Sequence, residues 1–439
     1  MNSEERHPAS PQDIARRLGK HGLRIGVVDP GDASASAAWN LADARGFHEP
    51  TPSPERLAEL FEKLAYRRST GVWDDTALDP ASPVATVSSW ATRLSTPGGE
   101  VPAWAISSVT VASTHRRRGI ARGLLEGELA TASAEGLPIA ILTASEATIY
   151  GRFGFAPASL SADWSIDTSR AHWRGEDVPG RVHFVTPEQL RADDPAIVER
   201  ARLRTPGEIE HWDLRRDERL GLAKDSTATP TLRGIRYDDE NGVPQGYALY
   251  TITAGSGHLD PSVLDVTYLT AATDDAYAAL WRLLFEMDLV TEVRAKARSV
   301  DEPFRWLLTD VRAASKTYED DRLWVRILDV PAALAARTYA ADSRIGFELT
   351  DVLGYARGQF LLTVDADGAG SAERVEGDLP AGVPVVALGI NELASLYLGG
   401  VRAATLARAG RIAERTPDAV AAVDRAFDAP TAPWLSIIF

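Results

Sequence analysis

The sequence predicts two consecutive α/β domains followed by an α+β domain, and three observations carry that reading. A chain of 439 residues exceeds one typical domain. A β-branched strand ending at Val109-Thr110-Val111 runs through a polar turn into a helix beginning near Gly119, and a second apolar strand follows at 138–143. That order belongs to an open sheet with a ligand at a break between strands. The strand, threonine and helix pattern then returns at 263–284, and from about Val330 strands precede helices instead of alternating with them.

Taken in order, residues 1–22 are charged and read as an extension holding a short helix at 13–18. A strand at 23–28, an alanine-rich helix at 33–45 and a helix at 55–66 follow. Ser53 suits the cap of the last of these and Pro54 its first turn, with Leu57, Leu60, Phe61 and Leu64 as its apolar face. Strands near 71–73, 84–94 and 104–111 form a meander turning at Pro97-Gly98-Gly99. A strand near 163–167 is expected to close the first domain, taken as 23–168, and 169–181 reads as a linker. The second domain, 182–328, contains a hairpin around Asn241-Gly242 between 234–237 and 245–253. The third, 329–439, has a helix at 331–339, strands at 347–352, 358–364 and 385–390, and helices at 391–397, 401–409 and 417–427.

Composition narrows the chemistry. With 44% hydrophobic and 25% charged residues the chain can bury a sizeable core. It has no cysteine, so disulfides, thiolate nucleophiles and cysteine-held metals are excluded. Its histidines show no metal-ligand spacing, no metal is expected, and His115 is expected to be exposed. A net charge of −15 argues against nucleic acid and anionic membranes as partners. No apolar run approaches the ~20 residues of a membrane span, and the N-terminus lacks a signal-peptide core, so a cytoplasmic chain is expected.

Against that acidic background, Arg116, Arg117 and Arg118 precede Gly119, Ile120, Ala121 and Arg122 at a helix start, with Thr114 as a candidate cap. The first N–H groups of a helix lack internal partners and the macrodipole is positive there, so this turn is an anion cradle. After the next strand come Ser145, Glu146 and Tyr150, the tyrosine four residues before Gly154-Phe155. Ser145 reads either as a ligand contact or as a helix cap, and Tyr150 either as a proton donor or as core packing. In the second domain Asp274 and Asp275 replace the basic residues and Ala278 replaces Gly119. Those carboxylates suit a helix start but would repel a pyrophosphate. The chain ends on an apolar tail, Pro433-Trp434-Leu435-Ser436-Ile437-Ile438-Phe439, which suggests burial of the terminus.

Arg116-x-x-Gly119-x-Ala121 resembles the pyrophosphate signature of the GNAT acetyltransferases. THRRRGIARGLL at 114–125 with TASEATIYGRFGF at 143–155 resembles the enhanced-intracellular-survival (Eis) family, and NELASLYLGG at 391–400 resembles its closing sterol-carrier-like domain. The resemblance runs over 23–439 in family order. It implies two tandem GNAT-like domains, the second without a cofactor site, and a sterol-carrier-protein-like third. Acetyl-CoA is then the cofactor, held by Arg116 to Arg122, by the backbone of Val109, Thr110 and Val111, and by Ser145 and Glu146. Tyr150 is the implied general acid, since a phenol of pKa ~10 is protonated at neutral pH. The implied general base is the terminal carboxylate of Phe439, an ordinary pKa of ~3.5 that burial would raise; Glu146 and simple docking of the tail as an edge strand stay open. Without a thiol, direct sequential transfer to a primary amine is expected: an aminoglycoside, a lysine side chain or another cationic amine. Trp39, Phe47, His48 and Glu49 are candidates for the amine pocket. Some relatives carry an acid where Ile438 stands, which weighs against a polycationic aminoglycoside. The resemblance also implies a homo-oligomer, a hexamer. The alternative reading is a non-catalytic acyl-CoA or lipid-binding protein.

Overall fold

The structure, a computed structural model, describes residues 8–225, 231–255 and 262–439. The chain divides into two compact units. One holds the residues up to Ser159 with Arg322–Pro430 and Ile437–Phe439; the other holds Leu160–Asp321 with Thr431–Ser436. Among the described residues no helix is long and apolar enough to cross a membrane.

The first unit opens with α1, Pro11–Gly19, started by Ser10, whose side chain accepts from the Asp13 N–H. The expected extension is therefore a docked helix over its described part, residues 1–7 lying outside the described residues. Ile14 and Leu18 enter the first core beside Gly123, where a Cβ would already stand 3.4 Å from both. Then come β1 (Leu23–Val27), α2 (Ala33–Gly46), α3 (Pro54–Lys63), β2 (Arg68–Asp74), β3 (Ala85–Thr96), β4 (Gly99–Val111), α4 (Ile120–Ala134), β5 (Ile139–Thr143), α5 (Ala147–Tyr150) and β6 (Ala156–Pro157). Helix α4 buries Leu124, Leu125, Leu129 and Ala132 on the sheet, each leucine worth ~1.5–3 kcal/mol. Glu128 on the same face is 1% exposed and fully engaged, by Arg68 and Ser89 at 2.6 Å each and the Trp104 indole at 3.1 Å.

The strand β7, Leu160–Asp167, corrects an expectation: it does not close the first sheet but pairs with β12 (Val290–Arg298) and β13 (Ala314–Asp321) in the second. Its inward residues Ala162, Trp164 and Ile166 belong to the second core, where Trp164 meets Phe304 edge-on at 5.3 Å. The vacant place beside β5 is taken by β14, Leu323–Ile327, giving the first sheet the order β1-β2-β3-β4-β5-β14-β6. Strand β14 carries Arg326, fully buried against Asp351 at 2.7 Å, a charge that breaks an apolar strand pattern.

Besides those strands, the second unit contains β8 (Arg181–Val185), α6 (Pro187–Arg202), α7 (Asp213–Arg219), β9 (Arg233–Asp238), β10 (Pro244–Thr253), β11 (Ser262–Ala271) and α8 (Asp274–Phe285). The Asn241-Gly242 turn forms as expected, held by Asp239, which accepts from the N–H groups of Asn241 and Val243.

After β14 the first unit continues with α9, Val330–Ala335, and a five-stranded sheet. Its strands are β15 (Ser343–Thr350), β16 (Gly358–Val364), β17 (Gly370–Val375), β18 (Val385–Gly389) and β19 (Ile412–Glu414), with helices α10 (Ile390–Leu396), α11 (Ala403–Arg408) and α12 (Ala419–Phe427). Helix α9 ends earlier than expected because buried Arg337 leaves the helix to donate to the carbonyls of Tyr397 and Phe427. The sequence reading omits β17 and β19, which are mostly exposed and carry no apolar alternation.

Candidate active site

The site starts from a defect in β4. Ser108 has φ of 56°, and the pairing of β4 with β3 slips between Thr86 and Ser88. Such a bulge bends the strand. The parallel pairing of β4 with β5 covers only Ala103–Ala105 against Ile139–Ile141, after which the two strands part. Val109, Thr110 and Val111 thus form one side of a wedge, with backbone groups that have no partner on the β5 side. The end of β5, Thr143, forms the other.

At the mouth of the wedge, Arg117 and Gly119 take left-handed conformations, φ 62° and 75°. Gly119 is the N-cap of α4, and no side chain caps the helix. The expected capping by Thr114 is corrected: a short 3-10 turn at Ser113–His115 intervenes, and the Thr114 hydroxyl bonds the His115 ring at 2.8 Å instead. A Cβ on Gly119 would meet nothing within 4 Å. Glycine is required there by the backbone angle, and the space before the helix is open. The N–H groups of Ile120, Ala121 and Arg122 face a helix start without a protein acceptor.

Arg116, Arg117 and Arg118 are exposed. Arg122 is turned away to Glu126 at 2.7 Å, so its backbone N–H rather than its guanidinium faces the helix start. His115 is not exposed as expected: its ring is mostly covered and bonds Asp74 at 3.1 Å. The Thr76 hydroxyl, then this His115 bond and the Thr76 N–H, hold the Asp74 carboxyl down at about 2.

Tyr150 ends α5, and its ring is buried edge-on to Phe155 at 6.4 Å and beside Trp324 of β14 at 6.5 Å. Burial raises its pKa, only partly offset by a hydrogen bond with Ser145. Ser145 is exposed and does not cap α5, whose N-cap position is Glu146, also without a capping bond. The segment is clamped by Asn391 of α10, whose amide donates to the carbonyls of Gly151 at 2.9 Å and Phe155 at 2.8 Å.

The terminus reaches the same strand end. The Thr143 hydroxyl donates to the Phe439 carboxylate at 2.6 Å and accepts from the Phe439 N–H at 3.3 Å. The Phe439 ring lies edge-on to Trp90 at 5.6 Å, and the Arg67 guanidinium covers Trp90 at 3.7 Å. Ile437 is buried and Ile438 is 57% exposed. The tail forms no strand. In the second unit its preceding residues are held by Glu208, which accepts from the Ser436 N–H at 3.0 Å, and by the Trp434 indole, which donates to Ala297 at 2.8 Å.

Beside the bulge lies a cavity of about 220 Å³ between α2, α3 and the sheet, lined among others by Asp29, Trp39, Asp43, Glu49, Arg67 and Ser108. Of the pocket candidates, Trp39 and Glu49 line it, while Phe47 and His48 are exposed and do not. The sequence reading missed Asp43, although it stands four residues after Trp39 on the same helix face. It also missed Thr143, Trp90, Trp324 and Asn391, which only the packing brings to the site.

In the second unit β11 and β12 also pair in parallel over a short stretch, Ser262–Val266 with Val290–Ala295. There Thr273 caps α8 directly, accepting from the Ala276 N–H at 3.1 Å, and the exposed Asp274 pairs with Arg204 at 2.7 Å. No left-handed turn precedes that helix.

A split between parallel strands at a bulge, leading to a capless helix start, is the arrangement of a GNAT acetyltransferase, and family comparison agrees. GNAT acetyltransferase domain families match residues 29–158 and 202–327, and the sterol carrier protein domain family matches 330–436. An uncharacterized N-acetyltransferase of Streptomyces avermitilis is 35% identical over 427 residues, 94% of this chain and 98% of that protein. N-acetyltransferase Eis of Mycobacterium tuberculosis is 37% identical over 343 residues, 76% of this chain and 80% of that protein. The crystal structure of Eis1 from Mycobacterium abscessus superposes with a TM-score of 0.79 at 27% identity, covering 94% of this chain and 100% of that one. The chain belongs to the Eis family of GNAT N-acetyltransferases, with two GNAT domains and a sterol-carrier domain.

Proposed function

We propose that this acetyltransferase moves the acetyl group of acetyl-CoA directly to a primary amine, with Tyr150 as general acid and the Phe439 carboxylate as general base. The observation that carries the reading is the Thr143 hydroxyl, which ties the chain's last carboxylate to the end of β5, a few residues before Tyr150. Acetyl-CoA supplies the activated acetyl thioester when bound. The fit is supported by the open space before Gly119 and the uncapped N–H groups of Ile120, Ala121 and Arg122, with Arg116, Arg117 and Arg118 adding charge. The unpaired side of Val109, Thr110 and Val111 suits the pantetheine arm, and Ser145 and Glu146, which follow β5, are taken as its further contacts.

Burial keeps Tyr150 protonated and ready to donate to a leaving thiolate. Thr143 holds the carboxylate in one orientation while the Phe439 ring is gripped by Trp90. The absence of cysteine leaves no thiol for a covalent acyl-enzyme, which favours sequential transfer. The acceptor cavity mixes acids with Arg56 and Arg67, which favours a single cationic amine such as a lysine side chain over a polycationic aminoglycoside. The second GNAT domain, with its capped and acidic helix start, serves no cofactor. Following the Eis relatives, the chain assembles as a homo-hexamer, and sedimentation equilibrium giving a monomer would reject that assembly.

The deciding experiment follows free-thiol release from acetyl-CoA with kanamycin, spermidine, histamine and a lysine-containing peptide. Acetylation of at least one amine with intersecting initial-velocity lines is expected. Acetyl-CoA binding without turnover of any amine would return the chain to a binding protein, and parallel lines would reject direct transfer.

A further inference from the structure

The acceptor cavity holds a carboxylate that neither the cradle nor the terminus uses. Asp43 lies on α2, one turn beyond Trp39, and lines the cavity. One oxygen accepts from the Ser108 hydroxyl at 3.2 Å and the other from the Thr86 hydroxyl at 3.4 Å. Ser108 is the bulge residue at which β4 bends away and it lines the same cavity, so Asp43 is bonded to the strand bend that starts the wedge. Both hydrogen bonds are long beside the ~2.5–2.7 Å usual for a hydroxyl on a carboxylate, which leaves acceptor capacity for a cation.

The stoichiometry of the reaction asks for such a group. An alkyl amine arrives as an ammonium, with a pKa near ~10 like that of lysine, and leaves as an amide. Two protons therefore leave the nitrogen, one before it can attack and one as the N–C bond is completed. The Phe439 carboxylate holds one proton at a time. We propose that Asp43 receives the acceptor's ammonium and takes the first of these protons. This inference rests on the transferase reading. The R–NH3+ group gives one proton to Asp43, the N–C bond forms as the C–S bond breaks, and the second proton passes to the Phe439 carboxylate. Tyr150 protonates the thiolate and is restored by one of the two acceptors, and the other proton leaves to water.

The surroundings of Asp43 suit the task. Burial pushes its carboxyl up to about 7, opposed by the Ser108 and Thr86 hydroxyls and by Arg67 and reinforced by Glu49. Asp29, before α2, and Arg56 of α3 line the same cavity, and Arg56 is itself paired with Glu59 at 2.8 Å. An ordinary aspartate at ~3.9 is mismatched to the ammonium by roughly 6 units, and a group near 7 by roughly 3. The charged and neutral forms are both accessible at neutral pH, so Asp43 can take the proton and release it in each cycle.

The test compares wild type with Asp43→Asn on the best amine of the panel, reading kcat/KM by thiol release from pH 5.5 to 9.5, with melting temperature and acetyl-CoA affinity as controls. Wild type should lose activity below pH 7 as Asp43 becomes protonated. Asp43→Asn should be folded, bind acetyl-CoA normally, fall about 10²-fold or more at pH 7 and recover toward wild type as the pH nears the amine's own pKa. A variant with wild-type rate and profile overturns the proposal, and so does one depressed equally at every pH, since damaged packing is not repaired by a deprotonated amine. If Asp43→Asn does not fold, a wild-type profile without an acidic limb between pH 6 and 8 overturns it. A wild type that acetylates no amine brings down the transferase reading itself, a different outcome from an active enzyme indifferent to Asp43.

Discussion

Replacing Thr143 by valine keeps the size and branching of the residue at the end of β5 and removes one hydroxyl. That hydroxyl makes both bonds to the chain end, donating at 2.6 Å to the carboxylate and accepting at 3.3 Å from the Phe439 N–H. A hydrogen bond to a charged group is worth ~1.5–3 kcal/mol. The tail keeps its other anchors, the buried Ile437 and the edge-on contact of Phe439 with Trp90, the latter worth ~0.5–1.5 kcal/mol. Orientation is lost and docking is not. If the bond is fully used in the transition state, kcat falls about 10- to 150-fold, at ~1.36 kcal/mol per decade. The assay is thiol release at saturating acetyl-CoA and amine, with acetyl-CoA affinity measured separately and expected to stay unchanged. Two companions calibrate it. Phe439→Leu keeps an apolar anchor and should retain much of the activity. One glycine added after Phe439 turns the carboxylate into an amide and shifts the charge by up to ~3.5 Å, which should nearly abolish turnover, since ~1 Å can cost ~10²-fold. A fully active Thr143→Val enzyme refutes the role of the hydroxyl, and a fully active glycine-extended enzyme refutes the terminal carboxylate as base.

Tyr150→Phe preserves the packing against Phe155 and Trp324 and should lower kcat by roughly 10²–10⁴-fold with acetyl-CoA affinity little changed; a near wild-type rate returns Tyr150 to a packing role. Gly119→Asp combined with Arg117→Ala forces an L residue into a left-handed turn and aims a carboxylate at the cradle, so calorimetry should show weakened acetyl-CoA binding. The same calorimetry on wild type should give one acetyl-CoA per chain, and a second site would contradict the reading of the capped, acidic α8. Asp351→Ala leaves the fully buried Arg326 without its partner and should cost about 3–5 kcal/mol in a denaturant melt; a loss under 1 kcal/mol would show that Arg326 finds other compensation.

The order of elements and the cradle were legible because their signals are local. A glycine at a helix start, arginines before it and a strand behind it lie within one short stretch, so the sequence showed a basic turn at a helix start, and its resemblance to the GNAT signature made Arg116 to Arg122 the candidate cradle. The repeat in the second domain was equally legible, because a threonine again follows the strand and acids replace the basic turn, although only Thr273 caps its helix and Thr114 bonds His115 instead. The tail's apolar character announced that the terminus is engaged, but not by what.

Tertiary structure decided the rest, and the reason is distance along the chain. Alternation in β7 says that one face is buried but not in which core, and only pairing assigned it to the second sheet and β14 to the first. The Thr143 hydroxyl and the Phe439 carboxylate are 296 residues apart, and Asn391 clamps Gly151 from 240 residues away; no periodicity links such partners. Asp43 reads in sequence as one polar residue on an alanine-rich helix. It becomes a group near 7 only when α2 packs on the sheet and burial of its carboxylate outweighs the opposing bond from Ser108 of the bulged β4.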